Sequence, residues 1–143
     1  MTESSPQKAL VRLFYEEMWN KADKQRIPEI FHTEFSFRGS LGPVLKGHDQ
    51  FAGYVDDVVH ALPDFVCEIL ELTEEDNRVV ARMLFYGTHR GEMLGFSPTG
   101  KKVEWHGSAH FTFSEGKVLD LWVLGDVHGL LRQLESNQPP DEK

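Results

Sequence analysis

Apolar side chains recur at helical spacing twice in the first half of the chain, then give way to alternation in the second half. Leu10, Val11, Phe14, Tyr15, Met18 and Trp19 fall on one helical stripe, with Ser5 placed to cap and Pro6 in the first turn. Asn20 to Asp23 break that pattern, and a short helix through Ile27, Ile30 and Phe31 follows, disturbed by Pro28. In "EFSFRG" Phe35 and Phe37 share one face of a brief strand, whereas "GSLGPVLKG" reads as an irregular loop. A further helix starts near His48 and carries Phe51, Tyr54, Val55, Val58, Val59 and Leu62 before Pro63 ends it.

From there the period moves towards two. Strands are predicted at about Phe65–Leu72, Arg78–His89, Lys102–Phe113 and Val118–Gly125, with short turns at "TEEDN" and "SEG". "DVHGLLRQLE" predicts a short closing helix. Segments 1–5 and 136–143 are expected to be a flexible N-terminus and a disordered tail around one domain at 6–135. Helices followed by an antiparallel meander define an α+β fold, with helices on one face of the sheet.

Alternation also sorts side chains by face. Val79, Ala81, Met83, Phe85 and His89 share one face of their strand; Val103, Trp105, Ala109, Phe111 and Phe113 share one face of the next. Leu121 and Val123 belong to the apolar face of the last strand. The opposite faces mix Arg82, Tyr86, Glu104, His106, His110 and Trp122. His106 and His110 invite a metal reading, but four residues of strand span roughly 13 Å, too far to share one ion. No metal or other cofactor is expected.

Composition narrows the partners. The chain has 143 residues, enough for one domain burying roughly 70% of its unfolded surface. Fifteen Lys and Arg stand against 23 Asp and Glu, a net charge of -8, which disfavours nucleic acid. Cys67 is the single cysteine, so an intrachain disulfide is excluded, and its apolar strand suits a buried thiol. "MTESSPQKAL" lacks the basic and apolar regions of a signal peptide, and no apolar run is long enough to cross a membrane. The cytoplasm is the expected location.

The long connection "THRGEMLGFSPTGKKV", together with "SEGKVLDLWVLGDVHGLLRQL", resembles the paired signature of SnoaL-like proteins. These belong to the nuclear transport factor 2-like superfamily. "VRLFYEEMWNKADKQRIPEIF" and "GHDQFAGYVDDVVHALPDF" fit the same pattern, so the resemblance spans roughly Pro6 to Leu134. It implies a cone: a curved antiparallel sheet wrapped around helices and a deep apolar cavity, usually in a homodimer. The apolar faces would then line the concave side. Gly91, Gly95 and Gly100 lack the spacing of a phosphate loop, so the connection is read as turn chemistry or as a lid, with Met93, Leu94 and Phe96 as apolar lining.

The resemblance also carries chemistry. SnoaL-type cyclases use an aspartate and a histidine on the last two strands, and the ungapped register puts these positions on Val123 and Ala109. Neither can transfer a proton, unless a bulge near Gly125 shifts the register. Asp126 matches a carboxylate that recurs before "GLL", and is read either as a helix cap or as a base at the cavity mouth. His89 would be a polar group on the concave face, either as packing or as ligand contact. Tyr15, Trp19, Met83, Phe85, Phe96, Trp105, Ala109, Phe111, Leu121 and Val123 are the expected lining. Three functions follow: a cofactor-free cyclase- or isomerase-like enzyme using His89 and Asp126 on a small hydrophobic oxygenated molecule, a non-catalytic binder of such a molecule, or a dimeric interaction module.

Overall fold

The computed structural model describes residues 5–40 and 43–138. Helix α1 (Pro6–Arg12) opens with Ser5 accepting the Lys8 amide and continues as a π-helical stretch, Leu13–Trp19, whose last turn closes from the Asn20 amide to the Tyr15 carbonyl. This wider turn gathers Phe14, Tyr15, Met18 and Trp19 on one buried face. A 3-10 turn (Lys24–Arg26) leads into α2 (Ile27–Ile30), where Pro28 is tolerated because it sits in the first turn. Strands β1 (Phe31–Arg38) and β2 (Val44–Lys46) precede α3 (Gly47–Ala61). Then come β3 (Val66–Glu75), β4 (Arg78–Thr88), β5 (Lys102–Ser114), β6 (Lys117–Gly125) and α4 (Val127–Asn137).

The six strands form one open, curved sheet in the order β2-β1-β6-β5-β4-β3. The predicted meander is its larger part, β3 to β6. Two features differ from the sequence expectation. Strand β1 joins β6 in parallel, with Phe37 opposite Leu121, in a sheet expected to be antiparallel, and it begins at Phe31, which was expected in the preceding short helix. Part of the expected loop "GSLGPVLKG" is strand: Val44, Leu45 and Lys46 pair with Arg38, Phe37 and Ser36. Three residues are too few to show a period of two, and β1 supplies the free backbone groups that hold them. Leu41 and Gly42 of that loop lie outside the described residues, as do residues 1–4 and 139–143 of the two expected flexible ends.

The pleat sends the predicted apolar sets inward. Val79, Ala81, Met83, Val103, Trp105, Ala109, Phe111, Leu121 and Val123 are all buried against α1, the π-helical stretch and α3. Phe14 anchors this contact, with ring centroids 5.3 Å from Phe31, 6.0 Å from Phe51 and 5.8 Å from Phe111. Burying each such ring contributes about 1.5–3 kcal/mol.

The connection between β4 and β5 is tied down along its length. Asp64 accepts from the Thr88 amide and hydroxyl, both at 2.6 Å. The Ala61 carbonyl at the end of α3 accepts from Arg90 at 2.9 Å and Gly91 at 3.1 Å. A β-carbon on Gly91 would collide with the His60 carbonyl, so this docking requires glycine. Met93 and Phe96 exchange two backbone hydrogen bonds around Leu94-Gly95, both at positive φ, a tight turn. Beyond β6, the Gln133 carboxamide on α4 accepts from the Glu104 amide at 2.8 Å and donates to its carbonyl at 2.6 Å.

Candidate ligand cavity

Between the π-helical stretch, α3 and the concave face of the sheet lies a cavity. It is lined by Phe14, Tyr15, Trp19, Phe37, Gly39, Ser40, Tyr54, Val58, Phe65, Cys67, Phe85, Trp105, Leu121 and Val123. Its void is about 40 Å3, within about 390 Å3 of space unoccupied by atoms out through the mouth. The smaller figure is the room inside, enough for a water or two. Phe65, Phe85 and Trp105 form one wall, with ring centroids 5.5–6.1 Å apart. Gly107 and Gly125 face each other across β5 and β6; β-carbons there would strike the Phe85 ring and Ser40, respectively.

The polar atoms of this lining are few. Tyr15 and Tyr54 bring phenols, Ser40 a hydroxyl, Cys67 a thiol, and Trp19 and Trp105 indole N–H groups. Burial pushes the Tyr15 phenol well above its ordinary pKa, and the neighbouring Cys67 and Tyr54 push the same way. Burial also pushes up the Cys67 thiol. Both therefore stay protonated at neutral pH. The Trp105 indole nitrogen is buried and lacks a hydrogen-bond partner, an arrangement that costs roughly 1–3 kcal/mol. Among the described residues, no Asp, Glu or His lines this cavity. Nor does any group of three His, Cys, Asp or Glu side chains sit close enough to hold a metal ion.

Six of the ten residues expected from sequence as lining are in it: Tyr15, Trp19, Phe85, Trp105, Leu121 and Val123. Met83, Ala109 and Phe111 are buried on the same face but outside the lining. The deep end of the cone is filled there, with Phe111 packed on Phe14 and Tyr15. Phe96 is half-buried in the connection and lines neither this cavity nor the neighbouring groove.

His89 is fully buried, yet lies one step past the end of β4 and beneath the connection rather than on the cavity. Its Nδ1 is 3.3 Å from the Thr99 hydroxyl, and its Nε2 lacks a partner. Asp126 is exposed and caps α4, accepting the Gly129 amide at 2.9 Å. The two are not brought together at the cavity. No bulge interrupts β5–β6 near Gly125; the only shift lies between Thr112 and Phe113. His106 is exposed, and the His110 ring lies 3.0 Å from the Ser108 hydroxyl and edge-on to Trp122.

Sequence reasoning missed Tyr54, Cys67 and Ser40 as lining. Tyr54 and Val58 share the α3 stripe, a signal that was legible but reads equally as core. The placement of Cys67 comes from Asn20, whose carboxamide accepts from its amide at 2.7 Å and donates to its carbonyl at 3.1 Å. Ser40 left no local signal. Outside the cavity a groove runs between α3 and the connection, lined by Pro43, Tyr54, Asp57, Val58, Ala61, Glu92, Met93 and Leu94, with a void of about 220 Å3.

A curved sheet closed by helices over a mostly apolar cavity is the architecture that the chain presents. The family model for SnoaL-like polyketide cyclase matches residues 9–134, and the chain belongs to that family. It is 30% identical over 140 residues to the aklanonic acid methyl ester cyclase AcmA of Streptomyces galilaeus, covering 96% of each chain. The aklanonic acid methyl ester cyclase DnrD of Streptomyces peucetius is 29% identical, over 88% of this chain and 89% of its own. Among solved structures, AclR from Streptomyces galilaeus superposes with a TM-score of 0.81 at 26% identity, covering 99% of this chain and 91% of AclR. A SnoaL-like protein from Jannaschia sp. CCS1 reaches 0.85 at 19% identity over 98% and 100%, a likeness of fold. No helix among the described residues is long and apolar enough to cross a membrane.

Proposed function

We propose that this chain binds a small hydrophobic, oxygen-bearing molecule of polyketide type in its cavity, and holds it without removing a proton. The supporting observation is the Trp105 indole N–H, buried in the cavity wall with no acceptor. A ligand oxygen there would satisfy it, and the Tyr15 phenol is a second donor in the same lining. Donors that stay protonated can orient or polarise a carbonyl, but cannot abstract the acidic proton that an aldol-type ring closure requires. The resemblance puts the cyclase aspartate and histidine at Val123 and Ala109, and both are apolar here. In this reading His89 and Asp126 serve the fold rather than the ligand. With so little room inside, the ligand inserts one end and leaves its bulk in the mouth.

The test uses the compound for which the cyclase relatives are named. Aklanonic acid methyl ester should quench tryptophan fluorescence on titration, less so in Trp105→Phe, and should be recovered unchanged. Ring closure by the wild-type chain, lost in Tyr15→Phe, would show that the chain is an enzyme instead.

We also propose a homodimer through the outer sheet face. Trp122 is 43% and Leu124 53% exposed there, beside His110, Arg82 and Tyr86. Arg38 lies over the Trp122 ring at 5.2 Å and presents it as an ordered anchor. Sedimentation at micromolar concentration should report a dimer that Trp122→Ala weakens; a monomer at every concentration defeats the reading.

A further inference from the structure

The outer groove and the cavity share a wall. Tyr54 and Val58, one turn apart on α3, line both. The groove's two charged lining residues are Asp57, from α3, and Glu92, from the β4–β5 connection. Among the described residues, no Lys, Arg or His lines either space. Both carboxylates are exposed and face whatever passes between them.

We infer that this groove is the entrance to the cavity, and that Asp57 and Glu92 make it selective for uncharged ligands over carboxylates. The inference rests on the binding function proposed above and names the ligand's charge class. Two opposing preferences decide the outcome. At the inner end the orphaned Trp105 N–H would donate to a carboxylate even more readily than to a neutral carbonyl, because charged acceptors make stronger hydrogen bonds. At the outer end the two like charges oppose an anion over several ångströms, within the reach of the field at low salt. A carboxylate also loses far more hydration than an ester on entering an apolar cavity. Entrance and desolvation both point against the anion, and only the buried donor points towards it.

The probes are methyl 2-naphthoate and 2-naphthoate, titrated by calorimetry at 10 mM and 500 mM salt. Wild type should prefer the ester. The double variant Asp57→Asn/Glu92→Gln should tighten 2-naphthoate about five-fold at low salt and leave the ester within two-fold. High salt should do the same to wild type, which keeps the test valid if the variant folds poorly. A control, Glu34→Gln/Glu68→Gln, changes net charge equally at exposed positions that line neither space, and should leave both affinities unchanged. No gain for the carboxylate in the groove variant, or an equal gain in the control, overturns the entrance selectivity while leaving the binding function standing. Failure of both probes to bind overturns the two together.

Discussion

Ala109 and Val123 stand directly opposite each other across β5 and β6, in register unbroken from Gly107 and Gly125 to Thr112 and Asp120. Both are buried on the concave face, and directly opposed side chains lie about 4.5–5.5 Å apart. Whatever the two positions carry, they carry as a pair. Here the pair is apolar, at the edge of the cavity.

A carboxylate at one of these positions should therefore be costly. Val123→Asp should destabilise the chain by about 2–4 kcal/mol at neutral pH, and Val123→Asn by less. Burial would raise the new carboxyl's pKa in the folded state. The penalty should be small below its unfolded pKa and grow as pH rises towards the folded one. Urea melts at pH 4 and pH 8 test this; a pH-independent penalty would mean that the side chain escapes to water.

Asp64 should show the opposite sign. Hydrogen bonds from the Thr88 hydroxyl and amide lower its pKa in the fold. It therefore contributes stability above its unfolded pKa, lost as pH falls through the lowered value. Asp64→Ala should cost about 1 kcal/mol at pH 7, discounted for its exposure, and clearly less near pH 2. Parallel melts at the two pH values decide it.

At the other end of the domain, Asp126→Ala should cost about 0.5–2 kcal/mol through loss of the α4 cap, and Asp126→Asn less. Gly129→Ala should mimic part of the loss, because a β-carbon there would run into the capping carboxylate. If Asp126→Ala melts like wild type, the cap contributes nothing.

Much of this architecture was legible because β4, β5 and β6 are each buried on one side only, which is where alternation carries information. Alternation gives the face, however, and not the distance along the strand. His89 was placed on the inner face and is buried, yet it sits past the strand end under the connection. The same blindness counted Met83, Ala109 and Phe111 as lining, although rings from the π-helical stretch fill their end of the cone. The parallel pairing of β1 with β6 joins Phe37 to Leu121, a separation over which local pattern is silent. Tyr54 and Cys67 became lining only when the fold brought α3 and β3 to the same cavity.

Ligand discrimination separates Trp105 from His89, each of which has a buried ring nitrogen that lacks a partner. With 2-acetylnaphthalene and 2-ethylnaphthalene as a matched pair, Trp105→Phe should weaken the ketone about three- to ten-fold and hardly affect the hydrocarbon. His89→Ala should leave the ratio of the two affinities unchanged. If instead His89→Ala removes the preference for the ketone, the anchor is His89 and the cavity extends under the connection.

Two carboxamides have a bearing on how this protein behaves in a crowded solution. Strand β3 ends the open sheet, and Asn20 occupies the backbone donor and acceptor of its Cys67; Gln133 does the same for Glu104 where β5 outruns β6. A strand from another molecule finds those hydrogen-bonding groups taken. Asn20 and Gln133 thus guard against fibrillar growth at places where a curved, unclosed sheet is most vulnerable to it.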